Sequence, residues 1–228
     1  MNELALFAGT GGGLLASQLL GFRTVCAVEL DEYCRCVLTQ RQNDGHLRPP
    51  FPIWDDIRTF DGKPWRGLVD IVTGGFPCQA YSKAAAGNNT ADDLWPEMRR
   101  VVADVAPRYV FAENVSRVAI NQAADDLEQM GYKTRAVSLS AADLGADHMR
   151  KRYWLLAYAN NDGEFLRSIN AETRWMPKLG EGVWKDYPES LRMDDGMAYR
   201  VDRLKAIGNG QVPLCAATAW NILTGAMT

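Results

Sequence analysis

Leu4-Ala5-Leu6-Phe7-Ala8-Gly9-Thr10-Gly11-Gly12-Gly13-Leu14-Leu15-Ala16-Ser17-Gln18-Leu19-Leu20 opens the 228-residue chain with an apolar run, a glycine-rich turn and a second apolar stretch. The first run has the length of a buried strand. The second reads as a helix that Gly21 is suited to cap. Strand, glycine loop and helix form the building unit of open α/β sheets. The loop sets bare backbone and a helix N-terminus against a ligand. A dinucleotide fingerprint needs Gly-x-Gly-x-x-Gly, but counted from Gly9 its last position is Leu14. The loop is therefore nucleotide-like and argues against a nicotinamide dehydrogenase. Taken alone, it fits a plain tight turn nearly as well.

Outward from this unit, Thr24-Val25-Cys26-Ala27-Val28 reads as a second strand ending in Glu29. An acid there, about twenty residues past the glycine loop, is placed to accept both hydroxyls of a ribose. Tyr33, Cys34, Val37, Leu38 and Arg41 follow at helical spacing. Residues 42–66 are polar and proline-bearing and read as a surface connection, in which Asp55-Asp56-Ile57 offers a carboxylate to an adenine amino group. Leu68-Val69-Asp70-Ile71-Val72 predicts a further strand, left through Gly74-Gly75. Pro77 stiffens the turn, and Cys78 is the thiol it presents. A lone cysteine is more often a small buried hydrophobe. Residues 83–93 are small and polar and read as a mobile lid over that thiol.

Leu94, Met98, Val101, Val102 and Val105 mark an amphipathic helix. The strand Tyr109–Ala112 ends in Glu113-Asn114-Val115, again an acid at the edge where open α/β sheets bind ligands. Ile120, Ala123, Ala124, Leu127 and Met130 give another helix, closed by Gly131. Strands are predicted at residues 133–140 and 153–158, and a last helix follows Pro213. The alternation predicts an α/β fold with a doubly wound, mostly parallel sheet. The rhythm breaks at residues 159–198, an insertion with no clear period.

Composition, at 47% hydrophobic and 23% charged, is that of an ordinary soluble globular protein. No apolar run approaches the roughly 20 residues of a membrane span, and Met1-Asn2-Glu3-Leu4 lacks a signal peptide's basic start. The cytoplasm is the expected compartment. Five cysteines, at 26, 34, 36, 78 and 215, form no CxxC pair, so neither a disulfide framework nor a metal site is expected. The net charge of −3 means that a nucleic acid would have to meet a local basic face. Candidates for it are Arg99, Arg100, Arg117, Arg150, Lys151, Arg152, Arg200, Arg203 and Lys205.

Phe7-Ala8-Gly9-Thr10-Gly11-Gly12, Glu29, Pro77-Cys78-Gln79, Glu113-Asn114-Val115, Arg150-x-Arg152 and Gly208-Asn209 with Val212-Pro213 occur in that order. Together they resemble the ordered motifs of the DNA cytosine methyltransferases that act on carbon 5, in a compact prokaryotic or phage-type form. The resemblance spans nearly the whole chain except residues 159–198. It implies a Rossmann-like catalytic fold that uses S-adenosyl-L-methionine. It implies that Phe7 stacks on the adenine and that Ala8, Gly9, Thr10, Gly11 and Gly12 receive the methionine end. Glu29 and Leu30 would meet the ribose, and Asp56 and Ile57 the adenine. Gly75, Pro77, Asn209 and Val212 would complete the cofactor pocket. Cys78 would be the nucleophile, with Glu113, Arg150 and Arg152 completing the catalytic set, and Gln79, Ser82 and Asn114 would contact the substrate. The expected partner is double-stranded DNA, with a cognate restriction endonuclease as a second candidate and a monomer as the working state.

The chemistry explains the residue types. Carbon 5 of cytosine is a poor nucleophile until a thiolate adds to carbon 6, and the thiolate is a minor form of a free thiol at neutral pH, with a pKa of about 8.5. A protonated Glu113 would stabilise the charge that develops on attack. The base must be flipped out of the duplex to be reached. On this reading residues 1–158 form a catalytic and cofactor-binding domain. Residues 159–198 are a short target-recognition segment in which Trp175, Trp184, Arg174 and Lys185 are candidate DNA contacts, and residues 199–228 return to the catalytic domain. Two departures stand out: His148 replaces a usual Gln, and the recognition segment is short with no match to the family's ninth motif. A transfer-RNA cytosine methylase and a catalytically idle DNA-binding relative are the alternatives.

Overall fold

The computed structural model describes residues 1–47, 50–77, 93–159 and 210–225. The elements in chain order are β1 (Asn2–Leu6), α1 (Gly12–Leu19), β2 (Arg23–Val28), α2 (Glu32–Asn43), β3 (Ile53–Trp54), β4 (Ile71–Gly75), α3 (Trp95–Val105), β5 (Tyr109–Asn114), α4 (Arg117–Gln129), β6 (Tyr132–Leu139), β7 (Arg152–Ala159) and α5 (Pro213–Thr224). The seven strands form one sheet in the order β3-β2-β1-β4-β5-β7-β6. All neighbours pair in parallel except β7, which runs antiparallel to both β5 and β6.

Alternation within the strands sorts the helices onto two faces. Leu4 and Leu6 of β1 point into a core built with Met98 and Val101 of α3 and Ile120 and Leu127 of α4. Ala5, between them, points the other way and packs with Leu14 of α1 and Leu38 of α2. On the latter side of the sheet α5 seats Trp220, whose ring meets Phe22 at 5.1 Å and Phe111 at 5.5 Å, both edge-on. The expected doubly wound, mostly parallel sheet is thus the observed one. Among the described residues no helix is long and apolar enough to cross a membrane.

Three differences from the expectation have physical reasons. First, the helix–strand alternation does not hold to the end. Residues 140–151 carry only the short 3-10 turn Ala142–Leu144, too little to cross over, so β7 returns antiparallel beside β6. Second, the connection 42–66 contains the edge strand β3 and two 3-10 turns, Ile57–Thr59 and Lys63–Trp65. Third, β4 begins at Ile71, and Leu68 is exposed. Gly74 and Gly75 are therefore strand residues rather than the start of a turn. Neither has a positive φ, so they meet a need for space rather than for unusual dihedrals.

Candidate active site

The sheet order reverses between β1 and β4, and a cleft opens at their C-terminal ends. It is lined by Phe7, Ala8 and Gly9 after β1, Gly13 and Leu14 of α1, Thr73, Gly74 and Gly75 of β4, and Gly210 and Gln211 before α5. The glycine loop turns sharply: Phe7, Gly9 and Gly11 all have positive φ, and the Gly11 N–H donates to the Ala8 carbonyl at 2.9 Å. Such dihedrals cost a phenylalanine strain that a functional turn can hold. Asp31 and Ser116 cap α2 and α4 with side-chain oxygens, whereas α1 starts at Gly11 without a side-chain cap. Its first-turn N–H groups and the positive end of its dipole therefore face the loop and cleft.

Glu29 closes this half. Its carboxylate accepts from the Gly9 N–H at 2.6 Å and from the Asp31 N–H at 2.8 Å. Burial pushes its pKa up, and these two backbone donors pull the other way. Three arginines hold the surrounding turns from behind. Arg35 donates to the Glu29 carbonyl at 3.1 Å and also to the Leu30 carbonyl, and Arg41 donates to the Thr10 carbonyl at 2.7 Å. Arg100 donates to the carbonyls of Ile57 at 2.6 Å and Phe60 at 2.9 Å. The side chain of Leu30 stands 55% exposed. Asp56 caps its own turn by accepting from the Arg58 N–H at 2.9 Å.

The second half is built around Glu113, which is 7% exposed at the end of β5. Its carboxylate meets the Arg152 guanidinium at 2.9 Å. The antiparallel direction of β7 makes this possible, because its first residue then lies at the same sheet edge as the last residues of β5. Burial raises the Glu113 pKa, while Arg152, a hydrogen bond from Gln211 and the charge of Arg150 oppose that rise. Arg150 has a positive φ, and its guanidinium donates to the Gly210 carbonyl. Burial lowers its pKa, with Arg152 adding to the effect. A Cβ on Gly75 would stand 2.7 Å from a Glu113 carboxylate oxygen and 3.0 Å from the Gln211 amide nitrogen. The glycine in β4 therefore makes room for the acid in β5.

The turn leading to Cys78 is tied at several points. The Asn114 amide donates to the Phe76 carbonyl at 2.8 Å, and its oxygen accepts from the Ser116 N–H at 2.8 Å. The Leu94 N–H donates to the Pro77 carbonyl at 3.3 Å. The Phe76 ring lies 5.1 Å from that of Trp95, whose indole N–H donates to Asp126 at 2.7 Å.

The structure brings Phe7, Ala8, Gly9 and Gly75 to one cleft and sets Glu113, Arg150 and Arg152 beside it. Cys78, Gln79, Ser82, Asn209, the lid at 83–92, the segment 160–198 with its two tryptophans, and Arg200, Arg203 and Lys205 lie outside the described residues. Asn114, expected on the substrate, is buried and has its amide committed to the turn. Val212, expected on the cofactor, packs against the core under α5. Its neighbour Gln211 lines the cleft instead, because the residue before the helix cap faces the opposite way. Gln211 was missed, although a polar side chain in the Gly208–Pro213 stretch was a visible signal. Of the expected basic face, Arg100 and Arg152 are spent on internal partners. Among the described residues no cluster is arranged to hold a metal ion.

The profile of the C-5 cytosine-specific DNA methylases matches residues 1–205. The chain belongs to that family. It is similar to the type II methyltransferase M.Eco47II of Escherichia coli, 35% identical over 207 residues that cover 82% of this chain and 48% of the relative. It is also similar to the type II methyltransferase M.NgoMIV of Neisseria gonorrhoeae, 28% identical over 79% of this chain and 59% of the relative. The chain thus spans about half to three-fifths of these curated relatives. Among solved structures, Spodoptera frugiperda DNMT2 superposes with a TM-score of 0.55 at 22% identity, covering 70% of this chain and 50% of that one. That likeness bears on the methylase fold alone.

Proposed function

We propose that this methylase transfers a methyl group from S-adenosylmethionine to carbon 5 of a flipped-out cytosine in DNA, through a covalent adduct with Cys78. The observation that supports it most is the buried Glu113, 2.9 Å from the Arg152 guanidinium, at the edge where the tied turn leads into Cys78. The cleft fits the proposed donor. The uncapped start of α1 offers N–H groups to the methionyl carboxylate, and the Glu29 carboxylate, fixed by two backbone donors, has capacity left for ribose hydroxyls. Phe7 would cover the adenine, and Asp56 with Ile57 would meet its edge. Bound there, S-adenosylmethionine supplies an electrophilic sulfonium methyl.

The chain's own groups do the rest. The Cys78 thiolate adds to carbon 6, and the electron pair of the ring double bond becomes available at carbon 5. Glu113, whose hold on a proton burial strengthens, shares a proton with ring nitrogen 3 and so stabilises the charge that moves there. Arg152 holds that carboxyl in place and offers its guanidinium to the ring carbonyl. After methylation, water takes the carbon 5 proton, the freed C–H electron pair re-forms the ring double bond between carbons 5 and 6, and the thiolate leaves carbon 6. Residues 159–198 are proposed as the target-recognition segment between the catalytic part (1–158) and its C-terminal return (199–228). The working state is proposed to be a monomer acting on duplex DNA in the cytoplasm. The type II designation of its relatives supports pairing with a cognate restriction endonuclease.

The test is methyl transfer from labelled S-adenosylmethionine to unmethylated genomic DNA, with bisulfite sequencing of the product. Label at cytosines in one short context is expected, and Cys78→Ala should reduce it to background while donor affinity holds. Label on transfer RNA but not on DNA would change the substrate class. Unchanged turnover by Cys78→Ala would remove the covalent step.

A further inference from the structure

Three glycines from two segments, Gly12 and Gly13 of α1 and Gly75 of β4, give way to one residue, Gln211. A Cβ on Gly12 would stand 2.2 Å from the Gln211 carbonyl oxygen, one on Gly13 2.5 Å from its amide oxygen, and one on Gly75 3.0 Å from its amide nitrogen. Gln211 therefore reaches across the cleft. Its amide oxygen lies against the uncapped first turn of α1, and its amide nitrogen bonds Glu113. The Arg150 guanidinium fixes the loop from the other side by donating to the Gly210 carbonyl.

We propose that Gln211 is a positioning residue that couples the start of α1 to the Glu113 carboxyl, so that an anion entering at the helix start changes how Glu113 is held. This rests on the proposed function, which puts a methionyl carboxylate at that helix start. A carboxylate there repels the Gln211 amide oxygen, which stands against Gly13, and the amide swings as a unit. Glu113 then loses a donor that favours its charged form and takes up a proton more readily. Because coupling between sites is reciprocal, ligand affinity must depend on the protonation of Glu113. The other charged groups facing Glu113 are Arg152 and Arg150 from the β7 side, with the Cys215 thiol of α5 behind Arg150.

The experiment is calorimetric binding of S-adenosylhomocysteine between pH 5 and 9 to wild type, Gln211→Met and Gln211→Glu. A hydrogen bond to a charged group is worth about 1.5–3 kcal/mol, so wild type should bind roughly tenfold or more tightly at the acid end. Gln211→Met, of equal length but without the amide, should lose that part of the dependence. Gln211→Glu should enlarge it, because two adjacent carboxyls share one proton. Glu29 titrates in the same cleft, but it contributes equally to wild type and Gln211→Met, so their difference reads Glu113. Placing Gln211→Met in a Glu113→Gln background should then change nothing further. A pH dependence that survives Gln211→Met unchanged, with normal folding by circular dichroism, would overturn the coupling. No binding by wild type at any pH would instead overturn the cofactor reading, and the inference with it.

Discussion

Glu29, half-buried, and Glu113, buried, are both acids at strand ends on one sheet edge, and burial raises the pKa of each. Their partners differ in kind. Glu29 is held by two backbone N–H groups, from Gly9 and Asp31. Glu113 is held by side chains, the Arg152 guanidinium and the Gln211 amide. Backbone donors are fixed by the fold and carry no net charge. They make a rigid acceptor, which suits a residue that only has to bind. Side-chain partners can move and can carry charge, which suits a residue whose proton takes part in chemistry.

The contrast predicts a division between turnover and affinity. Glu113→Ala should lower kcat by about 10²–10⁴-fold, the usual contribution of a positioned acid, without weakening S-adenosylhomocysteine binding. Single-turnover kinetics beside calorimetry would check this, and an equal loss in both would break the comparison. Glu29→Ala should do the reverse, weakening cofactor affinity roughly 10- to 100-fold while kcat at saturation holds. A fall in saturated kcat would mean that the two halves are not separable at that strand end. Arg41→Ala frees the Thr10 carbonyl and loosens the glycine loop without touching the ligand. Cofactor affinity should fall by a factor of about five, for roughly 1 kcal/mol. An effect as large as that of Glu29→Ala would give the loop's support the weight of a direct contact.

Glu3 sharpens the comparison because its hydrogen-bond partners are neutral hydroxyls, with the N-terminal ammonium acting on it only through its charge. It is fully buried on β1, where Ser17, Thr73 and Thr24 hydroxyls donate to it at 2.6, 2.7 and 2.8 Å. Burial raises its pKa above the ordinary 4.5 despite those bonds. A raised folded value stabilises the fold below the unfolded pKa, and that contribution is lost as pH rises through the folded one. Glu3→Gln removes the titration. Its melting temperature relative to wild type should therefore climb by about 2–4 °C between pH 5 and pH 8, equivalent to roughly 1 kcal/mol. A constant offset would mean that three hydroxyls suffice to keep a carboxylate charged in the core.

The same division governs what could be read from the sequence. The glycine loop and Glu29 are local: each is a strand, a turn and the residue after it, and the periodicity marks them. The motifs around Glu113 are legible in order, but their geometry is not. Arg152 reaches Glu113 because β7 runs backwards, a consequence of the missing helix between residues 140 and 151. Gly75 looked like a hinge because glycine usually signals dihedral freedom. Its real constraint is a carboxylate from the next strand, invisible without the pairing register. Arg100 looked like a surface charge, since nothing local announces that its guanidinium bonds two carbonyls about forty residues upstream. Gln211 belongs to the same class, as a bridge between segments that touch only in the fold.

The bond from the Leu94 N–H to the Pro77 carbonyl has a consequence for how this protein can vary. It joins the described residues on either side of positions 78–92, and the Phe76 and Trp95 rings brace the junction. A loop closed at its base pays little for extra length, about 0.6 kcal/mol for each doubling. Insertions there need not propagate into β4 or α3. The stem on which Cys78 begins can thus be inherited unchanged while the sequence beyond it is rewritten, which separates the evolution of the nucleophile's mounting from that of everything strung between its posts.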